Sequence, residues 1–139
     1  MAGSIVVTTL DLGSKITRYT VTWTSDASGD VTGNTFVMMM GTLVAVGFSP
    51  GAGGSQPSDL YDVDCLTAAN VTVFDNGAGT SIGSNLSNVL SSHHVPLTGL
   101  TGVTIYRRWT PGGAFQLTVA NAGDTKSGTV SIFVAEGIL

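Results

Sequence analysis

Of the 139 residues, five are Lys or Arg and nine are Asp or Glu, so 10% of the chain is charged and 42% hydrophobic, where a soluble domain averages about 25% charged. Nineteen Thr, fourteen Ser and nineteen Gly stand beside one Glu, two Lys and two Gln, so the residues that fill exposed helix faces are nearly absent and a helical bundle is excluded. A net charge of −4 with only five cations argues against nucleic acid as a direct partner, because affinity for phosphate backbones comes from clustered Lys and Arg.

The length fits one domain, residues 1–139, with no Pro-rich linker, charge block or fixed-period repeat to divide it. No secretory signal or membrane partner is expected: Met1 to Val7 lacks a basic run, and the low-polarity stretch from Phe36 to Phe48 is broken by Gly41, Thr42 and Gly47. A single cysteine, Cys65, leaves no intrachain disulfide and fits synthesis in a reducing cytosol.

Short β-type runs closed by Gly, Asn, Asp or Ser recur along the chain. The first is Ser4 to Thr9. In the second, Ile16 to Thr24, Tyr19, Val21 and Trp23 alternate with Thr20, Thr22 and Thr24, the period of a half-buried strand. Ser25 to Asp30 is turn chemistry. Asn34 to Met40 and Thr42 to Phe48 are apolar on both faces and predict covered strands. Pro50 to Pro57 predicts a flexible surface loop with little to bury. Leu60 to Leu66 puts Tyr61, Val63 and Cys65 on one face and Asp62 and Asp64 on the other, solvent face; Val71 to Phe74 follows, then the turn Asp75-Asn76-Gly77. Gly77 to His94 predicts a long crossover with at most a short helix. Val103 to Trp109, Phe115 to Ala120 and Thr129 to Ala135 complete the set. Eight or nine such strands predict an all-β, two-sheet antiparallel sandwich with jelly-roll-like connections, in an order the sequence leaves open.

Catalytic chemistry needs titratable groups brought together, and few are on offer. His93-His94 holds the only imidazoles, with no HExxH or CxxC spacing beside it, so a polar pair in a crossover is the better reading than a metal site. Asp62 and Asp64 face the same way along one strand, and their mutual repulsion is the one feature a hard cation would relieve; the spacing of an EF-hand is absent. Asp59 and Asp75 nearby raise the question of a glycosidase-type carboxylate pair, which two aspartates on a solvent face do not answer. Cys65 on an apolar strand face is a buried thiol rather than a nucleophile. Ser25-Asp26 has no histidine placed for a triad, and the glycines of 51–54 and 77–83 lack the Lys-Ser/Thr ending of a phosphate loop. The expectation is a protein without enzymatic activity, metal or cofactor.

The missing charge points instead to a surface covered by other protein, solubilised by Ser and Thr hydroxyls and suited to a symmetric oligomer. Candidate interface residues are Met38, Met39 and Met40, more sulfur than one small core needs, and the basic-aromatic cluster Tyr106, Arg107, Arg108 and Trp109.

Three stretches carry a resemblance: Val21 to Gly29, which reads Val-Thr-Trp-Thr-Ser-Asp-Ala-Ser-Gly; Pro57 to Val63, which reads Pro-Ser-Asp-Leu-Tyr-Asp-Val, with Asp75 to Gly79; and Leu117 to Gly128 running into Val130 to Val134. Together they resemble small virion structural proteins of tailed bacteriophages, similar to capsid decoration or cement proteins. The chain departs from that group in Gly77 to Pro96 and in Arg107 to Gly113. The resemblance implies a β-sandwich or jelly-roll module, made in the host cytoplasm and located on the virion's capsid surface. There it would sit as a homotrimer bridging copies of the major capsid protein. It implies no catalytic or ligand-binding residue. A tail, baseplate or fibre component would share these features, and a carbohydrate-binding sandwich would use Trp23, Tyr106 and Trp109 as a stacking platform. The alternation of Tyr19, Val21 and Trp23 argues that Trp23 is core, which leaves few aromatics for a sugar.

Overall fold

A computed structural model describes residues 3–74, 81–94, 100–101, 104–105, 109–110 and 113–136. In chain order the strands are β1 (Ser4–Asp11), β2 (Ile16–Thr24), β3 (Val31–Met38), β4 (Gly41–Pro50), β5 (Asp62–Thr67), β6 (Ser92–His94), β7 (Leu100–Thr101), β8 (Thr104–Ile105), β9 (Trp109–Thr110), β10 (Gly113–Ala120) and β11 (Ser127–Glu136), with no α-helix among the described residues. Eight of them form two antiparallel sheets, β1-β2-β11-β4-β6 and β3-β10-β5. The backbone of β9 pairs with β4, and β7 pairs with β8.

The strand order settles the connections. Residues 71–73 lie beside β5, with Leu66 opposite Thr72 and Val73 N–H donating to Cys65 O at 2.8 Å. Counting that segment and setting β1 aside, eight strands numbered along the chain lie 1-8-3-6 in one layer and 2-7-4-5 in the other. This is the wrapping of a jelly roll. β1 is an additional strand on the outside of β2.

Period-two alternation supplies the core. Tyr19, Val21 and Trp23 of β2, Val130, Ile132 and Val134 of β11, and Leu43, Val46 and Phe48 of β4 are buried facing Phe36 and Met38 of β3, Phe115, Leu117 and Val119 of β10, and Val63 and Cys65 of β5. Each large side chain so buried stabilises the fold by roughly 1.5–3 kcal/mol before entropy is counted. Trp23 stacks tilted against Tyr61 at 5.6 Å between ring centres and lies over Gly128, where an added Cβ would stand 2.5 Å from the indole. The smaller sheet is two strands short, and the gap under β4 is filled by Phe74, edge-on to Phe48 at 5.6 Å, and by Leu86.

Several expectations need correction. β3 starts at Val31 and ends at Met38, so Met39 and Met40 belong to the turn into β4. That strand changes sheet, which explains why neighbouring segments both read as apolar. Residues 50–57 are anchored rather than flexible: Gly51 N–H donates to Ser127 O at 2.8 Å, Lys126 Nζ to Gly54 O at 2.9 Å and Gln56 Nε2 to Asn88 O at 3.1 Å, and Pro57 is buried. The crossover ends in a strand, β6, at Ser92–His94, while its described part before that, 81–91, holds turns and no helix, within the expectation of at most a short one. The described residues of 103–109 divide between β8 and β9, which pair with different strands.

The turn between β2 and β3 is built as its composition predicts. Asp26 Oδ1 accepts from Ser28 N–H at 2.8 Å and Asp30 N–H at 3.1 Å. These backbone donors, Asp30 first, hold its carboxyl below the ordinary value of 3.8. A carboxyl with a depressed folded pKa adds stability above the unfolded value and loses it as pH falls through the folded one. Asp26→Ala should therefore lower the melting midpoint at about pH 7, and the gap to the parent should close as pH drops below the ordinary carboxylate value, read by thermal melts across pH. Gly128→Ala should cost about 1–3 kcal/mol in chemical denaturation by forcing a methyl against Trp23.

Candidate interaction surface

The two faces of the larger sheet follow from one register. Where Tyr19, Val21 and Trp23 point inward, their neighbours on β2 point out, and pairing aligns them across strands. One row runs Val6, Thr22, Thr129 and Ser49; the next runs Thr8, Thr20, Ser131, Gly47 and His93; the third runs Leu10, Arg18, Phe133 and Ala45. Val44 is the extra residue of a bulge that keeps β4 in phase with β11 on both sides of it. His93 lies over Gly47, its Cδ2 standing 3.0 Å from where a Cβ would be.

The result is a hydroxyl-rich face four to five strands wide on which Arg18 is the only Lys, Arg, Asp or Glu among the described residues of these rows. Arg18 Nε is buried and meets no acceptor among the described residues, and Phe133 is half-buried on this outer side. Val6 and Leu10, 65% and 48% exposed, border the face on β1. The alternating Thr20, Thr22 and Thr24 of β2 were the sequence signal for it: the polar half of the alternation carries hydroxyls instead of charges.

The residues singled out from sequence fall elsewhere. Met38 is 1% exposed, so it is core and offers nothing to a partner. Met39 is half-buried against that core, its N–H donating to Tyr19 Oη at 2.8 Å; Met40 alone of the three is exposed, at 61%. Tyr106, Arg107 and Arg108 lie outside the described residues, and the Trp109 backbone pairs with Thr42. His93 is exposed on the uncharged face, and the backbone of His94 pairs with Val46.

The aspartates near β5 are not on a bare solvent face. Asp62 Oδ1 accepts from Asn85 N–H at 2.8 Å and its Oδ2 from Asn121 Nδ2 at 2.9 Å. Asp64 Oδ1 accepts from Thr72 Oγ1 and from Cys65 N–H. Asp59 Oδ1 accepts from Asn88 N–H at 3.2 Å. Through Thr72, Asn85 and Asn88 these aspartates hold the described residues 72–74 and 81–88 to β5 and the turn before it. Asp75 lies outside the described residues, and no group of three His, Cys, Asp or Glu able to hold a metal occurs among the described ones.

Cys65 is fully buried, and desolvation, with the Asp64 charge second, pushes its thiol far above the ordinary range. Burial likewise raises the Tyr61 hydroxyl to about 12. Trp23 is 1% exposed, as the alternation predicts, and is unavailable to stack on a sugar. Ser25 is a pin between loops: its hydroxyl donates to Gly123 O at 2.7 Å and accepts from Lys126 N–H at 2.8 Å.

Comparison with protein-family models, with curated proteins and with solved structures finds no match for this chain.

Asp62→Ala removes acceptors for a backbone N–H and an Asn amide. It should cost about 1–2 kcal/mol and speed amide exchange at Asn85 and Leu86, while Val21 and Val130 in the centre of the larger sheet keep their protection.

Proposed function

We propose that this chain is a structural protein of a tailed-bacteriophage particle, a decoration protein that binds the outside of the head shell, as a homotrimer, and bridges neighbouring copies of the major capsid protein. The observation that carries the reading is the outer face of the larger sheet, whose three rows present Thr and Ser hydroxyls, apolar side chains and His93 with one charged residue, Arg18. A broad face with a single charged residue suits contact with another protein surface, because little charge must be desolvated when it is covered. The resemblance of Val21 to Gly29, Pro57 to Val63 and Leu117 to Gly128 to small virion proteins supplies the identity of the partner. Fold alone does not, since jelly rolls serve many functions.

The role is mechanical: added interface across several shell subunits raises the free energy needed to separate them, and so opposes the pressure of packaged DNA. Particles made without this chain should lose infectivity or burst at a lower temperature than complete ones, and electron microscopy of labelled chain should find it on the head. Label on the tail would move the assignment to a tail or baseplate component. Ser131→Lys places a charge in the middle of the uncharged face, on a half-buried position, and should weaken binding to purified shells by roughly tenfold or more while the chain stays folded by circular dichroism.

A further inference from the structure

β1 ends the larger sheet, and among the described residues nothing pairs with its outer side. A free edge presents a row of unpaired N–H and C=O groups, and proteins normally blunt it with a charge, a proline, a bulge or short length. β1 carries one of these, a charge on its last residue, Asp11, whose Oδ1 accepts from Gly13 N–H. The strand runs eight residues in unbroken register with β2, and Ser4 to Leu10 contains no charged residue and no proline. The other edge on the same flank, β3, is interrupted: Gly33 has φ +75° and the register with β10 shifts beside it.

We propose that β1 is a self-pairing edge, through which two copies of this chain associate antiparallel about a two-fold axis at Thr8 and join their larger sheets into one continuous sheet. The pleat restricts the register, because paired residues must lie on the same face. With the axis at Thr8, Val6 of each copy stands opposite Leu10 of the other. These are the two exposed aliphatic residues of β1, and the pairing covers both at once, in both copies, with Leu12 just beyond the strand falling opposite Ser4. An axis at Val7 would set Leu10 against Ser4 and Val6 against Thr8, leaving each aliphatic residue beside a hydroxyl. That Val6 and Leu10 are equidistant from Thr8 is what selects a second copy over an unrelated strand, since a two-fold contact must be self-complementary.

The size of the contact is adequate for a weak dimer. The strand spans ~27 Å at 3.4 Å per residue, and two layers make the flank ~20 Å deep, which gives roughly 1,100 Å² in total, the low end of specific interfaces. β3 belongs to that flank: Asn34 Nδ2 reaches Gly3 O at 3.5 Å, and Gly3 sits against Asp30 and Val31. The inference stands apart from shell binding and needs no shell. A two-fold contact cannot close a ring of three, so a trimer would use another surface and β1 would link one trimer to the next.

Sedimentation of the purified chain from about 1 µM to 500 µM should show its mass doubling with concentration, as expected of a micromolar association. Val6→Lys combined with Leu10→Lys, both at exposed positions, should leave the melting curve intact and abolish the doubling. Register is read separately. A mixture of Val6→Cys and Leu10→Cys chains should cross-link through a disulfide on mild oxidation, while Leu10→Cys alone should not; Cys65 is buried and does not compete. A mass that stays constant over that range, doubling that survives the two lysines, or Leu10→Cys linking to itself as readily as to Val6→Cys would each overturn the proposal.

Discussion

The turn at residues 121–126 fixes the relation between the two layers. It joins β10, the middle strand of the smaller sheet, to β11, which lies between β2 and β4 in the larger one, and so has to cross from layer to layer in six residues. Ser25 holds it through its hydroxyl on Gly123 O and Lys126 N–H, and through its own N–H, which donates to Lys126 O at 2.8 Å. Ala122, fully buried, donates its N–H to Gly29 O and accepts from Ser58 N–H. Three loops therefore meet at one point, and Gly29 is required there because a Cβ would stand 2.6 Å from Gly123 N. Without that meeting the two central strands would have no defined stacking.

This joint has a kinetic consequence. β10 and β11 are the last long strands in the chain, yet they occupy the middle of their sheets, and the Ser25 bonds span about a hundred residues of sequence. Neither sheet is complete until these two C-terminal strands arrive, which is the pattern of non-local pairing associated with slow folding. Before it reaches β6, the described part of the long crossover is held by backbone bonds, Leu60 N–H to Leu86 O, Val63 N–H to Gly83 O and Leu86 N–H to Tyr61 O, and by the side chains of Asp59 and Asp62.

Few charges are present, and many of the carboxylates are used as hydrogen-bond acceptors for the chain itself. Asp11, Asp26, Asp59 and Asp62 each accept a backbone N–H in a turn or crossover, and Asp64 accepts from Cys65 N–H within β5 and from Thr72 Oγ1. Their employment as loop acceptors, together with Thr and Ser on the outward half of β2 and β11, is why the broad sheet face is nearly uncharged. The same economy leaves β1 without the lysine that would ordinarily protect an edge.

The period-two alternations were legible directly, because a strand's inward positions are fixed by the pleat: Tyr19, Val21 and Trp23, Tyr61, Val63 and Cys65, and Val130, Ile132 and Val134 are all buried as their spacing requires. Composition likewise determined the all-β class and the scarcity of charge. Three consecutive methionines could not be assigned from sequence, since hydrophobicity does not say where a strand ends; only the change of sheet after Met38 separates one core residue from one half-buried and one exposed. The role of Asp62 and Asp64 was hidden for the same reason, as their partners Asn85, Asn121 and Thr72 are distant or unpatterned in sequence. Periodicity is a property of one strand and survives in the sequence. Strand order, the uncharged face shared by four or five strands and the free edge of β1 are properties of pairings between distant segments, and those existed only once the tertiary structure had brought the strands together.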